Sequence, residues 1–181
     1  SDLIMADLST KTIAIIATDG FEDSELTSPA DAVREAGATV KVIAPEAGTI
    51  SGKKGASIDV DATTADVRGE KFDGIVLPGG TGNADALRMD EAAVEIVKKH
   101  VEAGRPLGVI CHGGWILTDA DVLKDRTLTS FPSLKTDLRN AGATWVDEEV
   151  HVDQGLVSSR TPDDLPAFNA KIVEEFAEGS H

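Results

Sequence analysis

The only cysteine of the chain, Cys111, stands where an apolar run, Leu107 to Ile110, meets Cys-His-Gly-Gly and passes directly into residues of helical character. A buried strand that turns sharply into a helix reads this way. A side chain at such a turn projects from the carboxyl edge of a sheet, at a helix start whose N–H groups and dipole favour an anion. A thiol there is expected to have a lowered pKa, and the thiolate is the nucleophilic form. The order of a small or apolar residue, any residue, nucleophile, any residue, glycine is that of a nucleophile elbow with Cys in place of Ser. Gly113 and Gly114 leave room for the tight turn and for close approach of a substrate. A lone cysteine is more often a small buried hydrophobe. Strand context, the adjoining His112 and the two glycines point instead to a reactive thiol.

Two other groups fall at positions where they could join it. Glu22 follows the apolar run Lys11 to Thr18, and Pro78-Gly79-Gly80 follows Phe72 to Leu77. A charged Glu22 beside the sulfur would raise the thiol pKa. A protonated Glu22 would donate a hydrogen bond to the thiolate, giving a coupled pair with its single proton mostly on the carboxyl group. On residue pattern alone Glu22, like Glu25, also reads as a solvated acid in a helix's first turn. Gly79 and Gly80 could present N–H groups that, with the N–H of His112, face a developing oxyanion. They are equally ordinary turn punctuation. GGTG lacks the Lys-Ser/Thr ending of a phosphate loop. His112 is a candidate general base, although neighbours in sequence point in different directions at a turn. His100, His151 and His181 show no metal-ligand spacing, so neither metal nor cofactor is expected. Trp115 reads as core packing or as a wall of the pocket.

The elements that would carry these groups follow from periodicity. Lys11–Thr18 is a continuous apolar run suited to a parallel strand covered on both faces. A helix runs from there to about Ala36, with Leu26, Ala30 and Val33 on one face, Pro29 inside it and Gly37 as its stop. Thr39–Ala44 is a second strand, and residues 45–60 form a β-hairpin with Gly52 to Gly55 at the tip. Phe72–Leu77 is the third strand, with Asn83 or Asp85 placed to cap a short helix. A longer helix spans Glu91–Ala103, with Ala93, Ile96, Val97 and Val101 facing inward. Beyond the elbow, Arg126–Ser130 reads as a strand, Pro132–Ala141 as a helix and Ala143–Val146 as a short strand. His151–Ser159 alternates around Gly155, and Pro162–Ala177 is a final amphipathic helix with Pro166 in its first turn. Strands alternating with helices imply a single doubly wound α/β domain with a largely parallel sheet. In such a sheet functional groups gather outside the carboxyl ends of the strands.

Composition narrows the partners. Acidic residues outnumber basic ones 32 to 17, a formal charge of −15, which argues against nucleic acid and anionic membrane surfaces as partners. One cysteine permits no internal disulfide and suits a reducing cytoplasm. No apolar run approaches the roughly 18 residues of a membrane span. The first ten residues, without a basic region or long apolar core, are expected to be a flexible lead to one domain over residues 11–178.

Four groups of residues then resemble the PfpI family: Phe21-Glu22-Asp23 with Glu25-Leu26 and Pro29; Leu77-Pro78-Gly79-Gly80; Ile110-Cys111-His112-Gly113; and Val157-Ser158-Ser159-Arg160 with Pro162, Asp164 and Leu165. These are the intracellular-protease-like members of the class I glutamine-amidotransferase-like superfamily, which also holds the Parkinson-associated deglycase. The resemblance covers about residues 11 to 177. It implies a flavodoxin-like three-layer α/β sandwich, a Cys111 nucleophile, a Glu22 contact to the sulfur and an oxyanion hole from Gly80 and His112. It also implies homodimers or higher homo-oligomers, with an acid at the position of Asp85 reaching a neighbouring copy's histidine. Gly114 stands where many relatives have proline. Members act as peptidases, as glyoxalase- or deglycase-type enzymes, as chaperones and as oxidative-stress sensors. The expected activity is therefore stress-protective chemistry by Cys111 on carbonyl or acyl groups, of small carbonyl compounds or of peptides. The alternative is a non-enzymatic sensor or chaperone that works through oxidation of Cys111, with no second cysteine to resolve it.

Overall fold

Five buried residues in succession, Ile13 to Ala17, can be accommodated by a strand with both faces covered, and that strand is the centre of the fold. The structure is a computed structural model that describes residues 6–181. Strand β1 (Thr12–Ile16) leads into helix α1 (Asp23–Glu35) and returns as β2 (Thr39–Ala44). The hairpin β3 (Thr49–Ser51) and β4 (Ser57–Asp59) follows, then β5 (Ala62–Thr63), β6 (Gly74–Leu77), α2 (Thr81–Leu87) and α3 (Glu91–Glu102). Strand β7 (Leu107–Ile110) enters a 3₁₀ turn at Cys111–Gly114 and then α4 (Trp115–Asp119). The remainder is β8 (Thr127–Leu128), α5 (Lys135–Asn140), β9 (Thr144–Trp145), β10 (His151–Asp153), β11 (Leu156–Ser159) and α6 (Leu165–Glu178).

Seven strands form the main sheet in the order β10-β11-β7-β6-β1-β2-β5, all parallel except the edge strand β10. Alternation along β1 divides the core into two layers. Ala14 and Ile16 face Ile96, Val97, Leu117 and Leu138 of α3, α4 and α5. Ile13 and Ile15 face Leu26 and Val33 of α1 and Phe168, Ile172 and Phe176 of α6. This is the expected three-layer α/β sandwich. The interior is fastened at its helix ends as well. Asp90 caps α3 by accepting the Ala93 N–H at 3.1 Å, and the Thr64 hydroxyl donates to the same carboxylate at 2.6 Å.

Several expectations change in detail. The last described residues before β1 are packed, since Leu8 is fully buried and its N–H donates to the Ala36 carbonyl; residues 1–5 lie outside the described ones. Pro29 is buried within α1 and removes only the bond its N–H would make to the Glu25 carbonyl. Neither Asn83 nor Asp85 caps α2, because the helix starts earlier, at Thr81 directly after Gly80. Arg126–Ser130 shrinks to the two residues of β8, which pair with β9 outside the main sheet. The two-residue edge strand β5 carries too little pattern to be foreseen.

The order β7-β6-β1 brings three adjacent parallel strands to one edge, and the loops leaving them there hold Cys111, Gly79 and Gly80, and Glu22. Helix α6 packs across β11 and β7 behind that edge, with Phe168, Ile172 and Phe176 buried. Phe168→Ala, which empties a fully buried position, is expected to lower the unfolding free energy by about 3–5 kcal/mol. Met89→Ala, 80% exposed, is expected to change it by no more than about 0.5 kcal/mol. Denaturant midpoints of the two variants measure the difference.

Candidate active site

Cys111 has φ of 62°, a left-handed conformation that an L-residue with a Cβ holds at a cost of about 1–3 kcal/mol. Ile110 before it is fully extended, and the Cys111 carbonyl accepts the Phe131 N–H at 3.1 Å, so the turn is held from both sides. Gly113 is required here: a Cβ on it would stand 2.6 Å from the Leu77 carbonyl oxygen. Gly114 is not required, since a Cβ there would meet only leucine methyl groups at 3.8 Å and beyond, and its φ of −70° suits any residue. That φ would also suit a proline.

The carboxylate beside the sulfur is not Glu22. Both oxygens of Glu22 are taken by the hairpin tip, Oε1 by the Lys54 ammonium at 2.7 Å and Oε2 by that of Lys53 at 2.9 Å. Burial pulls its pKa up, but the two lysines prevail and hold it below the usual range. Glu25, one helical turn on, takes the place expected for Glu22. It is fully buried, and its Oε1 accepts the Gly79 N–H at 2.8 Å. The Cys111 thiol favours its ionised form, and the other oxygen, Oε2, has no hydrogen-bond partner among the described residues. The reason is helix geometry. Side chains in an α-helix lean toward its N-terminus, so the spot beyond the first turn is covered by a residue inside the helix rather than by the one preceding it.

This placement changes the oxyanion donors too. The Gly79 N–H is spent on Glu25, whereas those of Gly80 and His112 reach the sulfur. Gly80 has φ of 92°, and a Cβ on it would run into the Gly20 carbonyl. Asn83, fully buried, ties this loop to the first. Its amide oxygen accepts the Thr18 N–H at 2.7 Å while its amide nitrogen donates to the Pro78 and Gly79 carbonyls at 3.1 and 3.0 Å.

The thiol pKa moves opposite to expectation. Burial and the charge of Glu25 push it up to about 12, against the Gly80 and His112 N–H groups and Lys53. The helix after Cys111 is one 3₁₀ turn and five α-helical residues, too short for its dipole to outweigh desolvation. Glu25 is itself pushed up to about 7, chiefly by burial. Two acids side by side carry at most one negative charge between them near neutrality, which rests mainly on the carboxyl group because the thiol is pushed higher, and the pair titrates as a unit. When the proton sits on the free Oε2 of Glu25, the charge rests on the sulfur, facing two N–H donors.

His112 does meet the thiol, its Nδ1 lying 3.3 Å from Sγ, while Nε2 lies 3.3 Å from the Ser133 hydroxyl. Its ring stacks on Phe131 at 4.6 Å and meets the edge of Trp115 at 5.5 Å. Burial and then Lys53 lower its pKa, so it is a neutral imidazole at physiological pH. Trp115 backs the histidine and donates to Asp137 at 3.0 Å. Asp85 is exposed on α2 and is not among the residues lining the cleft over Cys111. That cleft, about 410 Å³, is lined further by Lys53, Thr81, Phe131, Thr161 and Pro162. Its volume is at the lower end of the roughly 300–1,000 Å³ typical of small-molecule sites. Of the other histidines, His100 is buried with Nε2 2.8 Å from the Pro106 carbonyl, and His151 pairs with Glu148. His181 with Glu175 and Glu178 is the one cluster of metal-type ligand groups among the described residues, and it lies at the end of α6, outside the cleft.

The residues 11–175 match the family model described as the DJ-1/PfpI family. A relative from Escherichia coli (strain K12), named protein/nucleic acid deglycase 2, is 48% identical over 166 residues, covering 90% of this chain and 96% of its own. YraA of Bacillus subtilis (strain 168), provisionally named a cysteine protease, is 45% identical over 164 residues, covering 90% and 96%. Among solved structures, Drosophila melanogaster DJ-1beta superposes with a TM-score of 0.86 at 31% identity, over 92% of this chain and 90% of that one.

The buried acid leaves a signature in stability. Because folding raises the pKa of Glu25, its protonated form favours the native state below the unfolded value of 4.5. That contribution is lost as pH rises toward 7, about 3 kcal/mol in all. Urea unfolding of wild type and Glu25→Gln at pH 4.5 and pH 8 is expected to show the wild type losing that much more than the variant. Parallel pH profiles would mean that Glu25 is solvated.

Proposed function

The chain belongs to the DJ-1/PfpI family, and from that footing we propose that it is a stress-protective cysteine enzyme of the cytoplasm acting on reactive carbonyls, in the manner of a glyoxalase or deglycase. The observation that carries this reading is the buried Glu25 beside a strained Cys111 whose sulfur faces the Gly80 and His112 N–H groups. The Cys111 thiolate adds to an aldehyde carbon. An S–C bond forms, the carbonyl π pair moves to oxygen between the two N–H groups, and Glu25 delivers its proton there. Neutral His112 then moves a proton between the two carbons of a 2-oxoaldehyde adduct, and water releases the resulting thioester as a 2-hydroxy acid. The cleft volume and the charge of −15 favour a small carbonyl compound over a bound nucleic acid. No described helix is long and apolar enough to cross a membrane. A homo-oligomer is the arrangement in which the exposed Asp85 would approach a neighbouring copy's His112.

Wild-type protein is expected to consume methylglyoxal and to release a 2-hydroxy acid, with Cys111→Ser reducing kcat/KM by at least about 10³-fold. A fluorogenic peptide assayed alongside tests the peptidase version. Turnover of neither substrate, or equal turnover by the variant, removes the enzyme reading.

A second reading is favoured by the unpartnered Oε2 of Glu25, which as a protonated group could donate to a sulfinate formed by oxidation of Cys111. Intact mass after mild peroxide is expected to show two added oxygens at Cys111 in wild type and further oxidation in Glu25→Ala. An unchanged mass excludes a sensor role.

A further inference from the structure

The β3–β4 hairpin leaves the sheet, crosses to the first loop and places one cation over the cleft. Among the described residues Lys53 is the only lysine or arginine lining it. The hairpin is tied down along its length for this. Asp19 accepts the Ser51 N–H at 2.8 Å, and Asp23 accepts those of Lys54 and Ala56 at 3.0 and 2.9 Å. Lys53 is fixed at both ends, its N–H donating to the Phe21 carbonyl at 3.0 Å and its ammonium resting on Glu22. Glu22 is shared by two ammonium groups, and the Lys53 ammonium, half exposed, keeps N–H donors beyond the one Glu22 takes, beside the negative charge of Glu25 and Cys111. In a chain of charge −15 no anion collects at this point through the overall field. The Lys53 charge favours the Cys111 thiolate, and Thr81 and Thr161 line the cleft with hydroxyl groups.

We propose that Lys53 anchors a carboxylate carried by the carbonyl compound, so that the cleft selects small 2-oxo acids, of which glyoxylate is the simplest. This rests on carbonyl addition at Cys111 and names the substrate class for it. The thiolate attacks the aldehyde carbon of glyoxylate, the S–C bond forms, the π pair goes to oxygen and takes the Glu25 proton. The product is a hemithioacetal whose carboxylate contacts the Lys53 ammonium, and no further reactant is needed.

Protection of Cys111 against iodoacetamide, read by intact mass, tests the anchor without requiring turnover. Glyoxylate and the uncharged glycolaldehyde are compared in wild type, Lys53→Met and Lys53→Arg. The ratio of the two half-protecting concentrations within each protein cancels any change in thiol reactivity. In wild type glyoxylate is expected to protect at a concentration about tenfold lower, the advantage of one charge-assisted contact. Lys53→Met is expected to bring the ratio close to one, Lys53→Arg to keep it, and added NaCl to shrink it. A wild-type ratio near one, or one that survives Lys53→Met, overturns the anchor while leaving carbonyl addition standing. Protection by neither aldehyde removes both. Anion preference lost only in Lys53→Met supports the anchor even where methylglyoxal is not consumed.

Discussion

Two acids, the buried Glu25 carboxyl and the half-buried Cys111 thiol, stand side by side with room for a single negative charge, and the carboxyl edge of the sheet is arranged around that restriction. Burial pushes both pKa values up, so neither acid ionises for its own sake. The charge is tolerated because fixed dipoles meet it: the Gly79 N–H on the carboxyl group, and the Gly80 and His112 N–H groups on the sulfur. Those dipoles are useful only while the loops stay still, which is what Asn83 secures between the first and second loops. On the far side, Arg160 bridges Asp164 and Asp147 at 2.9 and 2.8 Å and holds the loop that brings Thr161 and Pro162 to the cleft. A left-handed cysteine and a buried acid each cost stability, and the two packed layers on either side of the sheet supply it.

What could be read from the sequence follows from how each feature is encoded. Strands β1, β2 and β7 are runs of apolar residues that carry their own signal, and α3 and α6 announce themselves by an apolar stripe. Alternation of strands with helices implies a largely parallel sheet whose functional loops gather at its carboxyl edge, while the strand order itself needed coordinates. Strands of two residues, β5 and β8, are made by pairing partners distant in sequence, so no local pattern encodes them. Cys111, His112 and Gly80 were legible because a strand-to-helix turn constrains residue type locally. The acid was misplaced by one turn. Glu22 stands nearest the strand end and draws attention. Yet Glu25 lies in line with Pro29 and Val33, four and eight residues on, along the buried stripe of α1. A carboxylate on a stripe that is otherwise apolar was the available signal. The claim of Glu25 on the Gly79 N–H, and the Lys53–Glu22–Lys54 cluster, needed coordinates, since both join segments about 30 or more residues apart.

The neighbours of His112 decide which chemistry the site favours. In a cysteine peptidase the histidine must carry a positive charge while it protonates a leaving amine, and a carboxylate usually steadies that charge. Here the far nitrogen meets the hydroxyl of Ser133, which offers no charge, and Lys53 together with burial resists a second cation nearby. An imidazolium is thus disfavoured within one copy of the chain. Addition to an aldehyde asks less. In the proposed reaction its proton comes from Glu25, no leaving group departs in that step, and His112 serves as a neutral base between two adjacent carbons. The same electrostatics that keep the imidazole uncharged therefore weigh against amide cleavage and toward carbonyl chemistry. A carboxylate supplied by an adjoining copy would shift that balance, which makes the surroundings of Ser133 and the Nε2 of His112 the place where peptidase and carbonyl activities of such a fold diverge.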